Sequence, residues 1–155
     1  MSLRRTPLQL NEARAKKGRV LYHATTPESA SEILRHGFRL PEKPEDVATH
    51  RFETPTISAA NAPEHAAVYH PTTGHVLKIT LHPDARILKR DLRQHGRRGE
   101  NLEQTTNRLI GVAREKGHQV LDVGHGWQST VGNQILDPSA IKSVEHHGPS
   151  SDFPR

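Results

Sequence analysis

Arg19-Val20-Leu21-Tyr22-His23-Ala24-Thr25-Thr26-Pro27-Glu28 is the stretch that sets the reading of the fold. Arg19 to His23 is short and rich in branched and aromatic residues, the composition of a strand. Thr26 then offers a hydroxyl N-cap, Pro27 suits the first helical position, where its missing N–H costs nothing, and Glu28 complements the N-terminal dipole. Ala30, Ile33 and Leu34 form an apolar stripe at helical spacing, and Gly37 ends it. The chain thus opens its packed region with a strand that runs directly into a capped helix.

Working outward, Phe38 and Leu40 are expected to pack behind that helix, and Pro41 to Pro55 forms a long, charged loop. Loops of this length in a compact domain are usually functional or mobile. Pro55 to Ser58 reads as a brief buried strand, then Asn61 as a cap and a short helix through Glu64, Ala66, Ala67 and Tyr69, stopped by Pro71. His75 to Leu81, with Val76, Leu77, Ile79 and Leu81, is the best strand in the chain, and Arg86 to Leu88 is a further extended piece. Gln94 to Glu100 reads as loop. Leu102, Thr106, Leu109, Ile110, Val112 and Ala113 sit at helical spacing before Gly117. Gln119 to Val123, Gly132 to Leu136 and Ile141 to Val144 complete the set of strands. Strands and helices alternate at first and strands then dominate, so the expected class is α+β rather than a doubly wound sheet.

Composition bounds the rest. The chain has 155 residues and suggests one domain at 18–145, between a basic N-terminal arm at 1–17 and a disordered tail at 146–155 carrying Gly148, Pro149 and Ser150. No run approaches the roughly 18 apolar residues of a membrane span, so a soluble protein without a membrane partner is expected. The first residues lack the apolar stretch of a secretory signal. With no cysteine there is neither a disulfide framework nor a thiolate metal site, which suits a reducing cytosol or delivery into a target cell. Lys and Arg number 22 against 17 Asp and Glu, a surplus of 5, which favours an anionic partner: a nucleic acid or a dinucleotide. His118, His125, His82 and Asp84 show no ligand spacing, so no metal is expected. Neither a glycine-rich phosphate loop nor a Gly-x-Ser-x-Gly elbow occurs.

Three separated segments together resemble the ADP-ribosyltransferase superfamily, in its diphtheria-toxin-like and poly-ADP-ribose-polymerase-like branch. Leu21-Tyr22-His23-Ala24-Thr25, then a helix ending in Gly37-Phe38, is similar to the family's opening strand and helix. Thr56-Ile57-Ser58-Ala59-Ala60-Asn61 followed by Ala66-Ala67-Val68-Tyr69 resembles the strand, turn and helix whose last aromatic flanks nicotinamide. Gly132-Asn133-Gln134-Ile135-Leu136-Asp137-Pro138 with Ile141-Lys142-Ser143 resembles the closing strands of bacterial toxin-type and phage-borne members. Across 18–145 the resemblance implies split antiparallel sheets with flanking short helices. It also implies NAD as substrate, with ADP-ribose passed to a protein, a nucleic acid, a small molecule or water.

That chemistry needs particular groups. Cleaving the bond between nicotinamide and ribose passes through an oxocarbenium-like cation, so a site must hold the ribose, grip the leaving group and stabilise positive charge. The resemblance gives His23 the ribose hydroxyl, the backbone at Ala24 the nicotinamide carboxamide, Thr25 an added hydroxyl, and Tyr69 the ring face. Ser58 stands where many members carry a first tyrosine, leaving the ring stacked on one side. Ala24 replaces the usual glycine, and Gln134 occupies the position where active members place a glutamate. A carboxylate about 4 Å from the cation is worth on the order of 4 kcal/mol at an effective dielectric near 20. Its loss corresponds to about three decades in rate.

Other readings stand beside this one. His23 also reads as a strand histidine satisfied by a backbone carbonyl, Tyr69 as a core aromatic, and Gln134 as a polar residue at a strand edge. Trp127 is either a recognition contact or a loop anchor, and Arg90, Arg93, Arg97 and Arg98 either steer an anion or form a solvated face. Two further function classes follow: a catalytically degenerate module of the same fold that binds NAD, an ADP-ribose-like ligand or nucleic acid, and a basic nucleic-acid-binding domain without an NAD site.

Overall fold

The computed structural model describes residues 18–40, 56–124 and 132–154. Thr26 caps the helix α1 (Pro27–His36) that follows β1 (Val20–Thr25), its side chain accepting from the Ser29 N–H at 3.2 Å. Gly37 closes the helix with φ +81°, donating its N–H to the Ile33 carbonyl; a Cβ there would meet nothing, so the glycine is needed for its backbone alone. After β2 (Ile57–Ala59), α2 (Pro63–Ala67) leads to β3 (His75–Leu81) and β4 (Ile87–Lys89). The helices α3 (Leu92–His95) and α4 (Leu102–Glu115) follow, then β5 (Val120–Asp122), β6 (Asn133–Ile135) and β7 (Ile141–Pro149). Asn101 and Gln104 start α4 with a reciprocal capping box, both bonds at 2.8 Å.

The strands form two sheets, in the orders β1-β3-β7 and β2-β6-β5-β4. All pairings are antiparallel except β4 with β5. The class is therefore α+β with two sheets and short flanking helices. Leu21, Ile79 and Leu81 of the first sheet pack against Ile57, Val120 and Ile135 of the second. The outer face of the second sheet carries Leu88 and Leu121 onto Leu109, Ile110 and Ala113 of α4. The other face of the first carries Ala24 and Val76 onto Ala66 and Ala67 of α2. β3 is covered on both faces, which is why its apolar residues do not simply alternate.

Several sequence expectations need correcting. The expected disordered tail at 146–155 is not one over its described residues, 146–154: β7 continues through Pro149, a 3-10 turn spans Ser150–Asp152, and Ser150 is buried. The local Gly-Pro-Ser-Ser composition is overridden by pairing with β3, where a bulge places His146 opposite Leu77 and Gly148 opposite Val76. Gly148 has φ +153°, and a Cβ on it would come within 3.3 Å of the Phe153 ring. Asn61 does not cap α2. Ala62 takes that position without a side-chain bond, and the Asn61 side-chain Oδ1 instead accepts from Asn133 Nδ2 at 3.1 Å. Tyr69 lies in the turn after α2 rather than within it, and part of the expected 94–100 loop belongs to α3, capped by Asp91. The arm at 1–17, the loop at 41–55, His125 and Trp127 lie outside the described residues.

Candidate functional site

The site is built where the outer edge of β1 meets β2. Tyr22 N–H donates to Ala60 O at 2.8 Å and Ala60 N–H returns a bond to Tyr22 O at 2.7 Å, so Tyr22 turns its backbone groups away from β3. Two residues on, by the parity of an antiparallel strand, Ala24 turns its N–H and C=O the same way. Neither group has a hydrogen-bond partner among the described residues. The Ala24 methyl, by contrast, is packed with Ala60, Ala66, Ala67 and Val76. It therefore points away from His23, which shares the Leu21 face. Thr25 is buried at the strand's end, opposite His75.

His23 Nδ1 lies 2.7 Å from the Ser58 carbonyl oxygen. A carbonyl only accepts, so Nδ1 carries the proton and, in the neutral ring, Nε2 is left as an acceptor. The Phe38 ring meets the imidazole edge-on, with centroids 5.2 Å apart. The residue is half-buried, and the atoms crowding the imidazole make burial the dominant influence on its pKa. Burial holds the pKa below the usual histidine value; the Ser58 bond opposes this, and the charge of His70 adds to the lowering. The strand histidine is thus satisfied by a carbonyl on one nitrogen and kept neutral for use on the other.

Ser58 also ties Gln134 to this point. The two are register partners between β2 and β6, and Ser58 Oγ donates to Gln134 Oε1 at 2.9 Å. Thr56 Oγ1 donates to the same oxygen at 2.6 Å. Gln134 is 1% exposed, and β6 is flanked by β2 and β5, so it is not an edge residue. Its amide oxygen is oriented by two hydroxyls from one face of β2. Thr56 received no role from the sequence, although its period-2 spacing from Ser58 places both hydroxyls on one side.

α2 rests on β1 through Ala66 and Ala67 and carries the turn holding Tyr69 and His70. Tyr69 is 38% exposed, which separates it from the apolar core. His70, its neighbour, is close enough to act on the His23 charge. The structure therefore links His23 to Ser58 and Ser58 to Gln134 by hydrogen bonds, with Ala24 and Thr25 on the same strand as His23 and Tyr69 in the turn that follows the helix laid against it. A second polar hub lies beside them. Asn133, fully buried, accepts from Arg19 at 3.2 Å and donates to the Ala59 carbonyl at 3.3 Å, while Arg19 is also paired with Asp122 at 2.8 Å. Among the described residues no three histidine or acidic side chains converge on a point that would hold a metal. Set against protein-family models, curated proteins and solved structures, the chain matches none.

Proposed function

We propose that the chain is a slow, NAD-consuming domain of the ADP-ribosyltransferase type, cleaving the bond between nicotinamide and ribose and passing ADP-ribose to an acceptor or to water. The observation that carries this reading is the pairing of a neutral His23, with Nε2 as acceptor, and the outward N–H and C=O of Ala24 on the same strand edge. A ribose hydroxyl needs an acceptor, and a carboxamide needs one donor and one acceptor; adjacent residues of β1 supply both sets. Tyr69 would supply the flat face for the nicotinamide ring, a contact worth about 0.5 to 1.5 kcal/mol beyond its buried area.

In the reaction the bonding pair leaves with nicotinamide, the ribosyl carbon becomes cationic, and the acceptor's lone pair closes on it as the acceptor proton passes to solvent. Gln134, in the glutamate's place, orients without charge, so turnover is slow. Its uncharged amide favours a second reading, a degenerate domain that binds NAD or an ADP-ribose-like ligand without cleaving it. Calorimetry with NAD together with chromatography of released nicotinamide separates the two. Release supports the enzyme, binding alone supports the degenerate module, and neither ends the NAD assignment.

A further inference from the structure

The positive charge of this chain is concentrated in one short segment. Between Arg86 and Arg98 lie Arg86, Lys89, Arg90, Arg93, Arg97 and Arg98 against the single acid Asp91, a surplus equal to the +5 of the whole chain; outside it the two signs balance. Among the described residues no acidic side chain forms an ion pair with it. Asp91 is occupied as the cap of α3, accepting from the Arg93 N–H at 2.9 Å. Glu100 is held by Arg108 at 3.0 Å, and Asp122 is held by Arg19. None of the six cations has an acidic partner among the described residues.

This is an ordered cationic rim. Leu88 and Leu92 anchor the segment in the core, β4 is the edge strand of its sheet, and all six cations except the half-buried Arg90 are exposed. Leu88, Leu121 and Gln134 form one cross-strand row, so β4, where the rim begins, lies two strands, about 10 Å, from Gln134.

We propose that this rim docks the phosphodiester backbone of a nucleic acid, which serves as the ADP-ribose acceptor; the docking stands on the rim alone, and the acceptor role rests on the NAD reading above. The segment's leucines are spent in the core, so the rim lacks the apolar anchors that centre a protein interface. Its sequence holds no Phe, Tyr or Trp on which single-stranded bases would stack, and His95 is its one aromatic ring. Charge and N–H donors without either feature suit phosphates.

Fluorescence anisotropy with labelled DNA and RNA duplexes of about 20 base pairs tests this across about 50 to 200 mM salt. With five phosphate contacts the affinity of the unaltered chain is expected to fall about 500-fold over that range; the R93Q/R97Q/R98Q variant, left with two, is expected to fall only about 10-fold. The tighter duplex identifies which nucleic acid is bound. An R35Q/R39Q/K142Q variant, which removes exposed cations that lie outside the 86–98 segment, is expected to bind more like the unaltered chain than the rim variant does.

Equal losses in the two triple variants, an unchanged salt slope in the rim variant, or competition by polyglutamate as strong as by unlabelled duplex would each overturn the proposal. The last result would point to an acidic protein instead. In the acceptor test, the rim variant should lose ADP-ribose transfer to the duplex while releasing nicotinamide into water at the unaltered rate. Nicotinamide release without any transfer to a duplex would overturn the acceptor role alone, and no release from either protein would end the NAD reading while leaving the docking measurement intact.

Discussion

Replacing Gln134 with glutamate places a charge at a position that the fold already shapes for an oxygen acceptor. Gln134 Oε1 receives Thr56 Oγ1 at 2.6 Å and Ser58 Oγ at 2.9 Å, and a carboxylate accepts the same two donors. With the ribosyl cation about 4 Å away and an effective dielectric near 20, the added charge is worth on the order of 4 kcal/mol. Nicotinamide release is therefore expected to rise by up to about three decades. Burial of the charge costs several kcal/mol, but two bonds to an ionised acceptor, about 1.5 to 3 kcal/mol each, offset most of it. The melting temperature of Q134E should accordingly stay within roughly 5 °C of the parent's. Q134L is the control: it leaves both hydroxyls without their acceptor, costs about 1 to 3 kcal/mol, and gives no gain in turnover. Chromatographic assay of nicotinamide beside thermal melting reads both quantities. A folded Q134E releasing nicotinamide no faster than the parent would refute the placement of Gln134 at the reacting centre.

Because the folded state lowers the His23 pKa, the unfolded chain binds its proton more readily; this contribution to stability is present above the ordinary histidine value and lost as pH falls through the folded one. Urea midpoints measured from about pH 7.5 down to 5 should fall with a slope that H23Q reduces, and NAD affinity should weaken over the same range as Nε2 becomes a donor. Glu100, held down to about 2 first by its hydrogen bonds to Arg108 and then by the Arg97 N–H, adds stability above the usual carboxylate range that disappears as pH drops toward 2. Acid titration of E100Q, followed by circular dichroism, should show a shallower loss. Asn133→Ala removes side-chain bonds to Arg19, Ala59 and Asn61 from a fully buried position and is expected to cost about 2 to 4 kcal/mol by urea unfolding. Gly148→Ala forces a Cβ against Phe153 at a left-handed φ, with a loss of about 1 to 3 kcal/mol; an unchanged melting temperature would show that the C-terminal residues do not dock as β7.

The site's precision comes from pairing rather than from a rigid loop. β1 is bonded to β3 on one side, and on the other, among the described residues, only Tyr22 engages Ala60, leaving the next outward backbone groups, at Ala24, without a partner there. A ligand carboxamide placed there would extend the interrupted pairing, a form of recognition that uses strand geometry already present in the free protein. His23 is fixed by Ser58 from the opposing strand, so the two sheets share responsibility for its orientation.

The residues by themselves determined what local physics controls. Thr26, Pro27 and Gly37 marked both ends of α1, and Val76 to Leu81 marked β3, because capping hydroxyls, fixed proline geometry and runs of branched side chains act within a few residues of themselves. The α+β class followed from the order of such elements, and His23, Ser58 and Gln134 were nameable one by one. Tertiary structure alone decided what depends on partners distant in sequence. Asn61 gave up its cap to meet Asn133, a Gly-Pro-Ser-Ser stretch became ladder because β3 lay beside it, and Thr56 joined Ser58 on a single glutamine oxygen 78 positions away. The free Ala24 edge, too, depends on which strand pairs where. Such contacts are set by which surfaces are buried together, and a hydrogen bond in a desolvated junction outweighs the weak local preference of either residue that makes it.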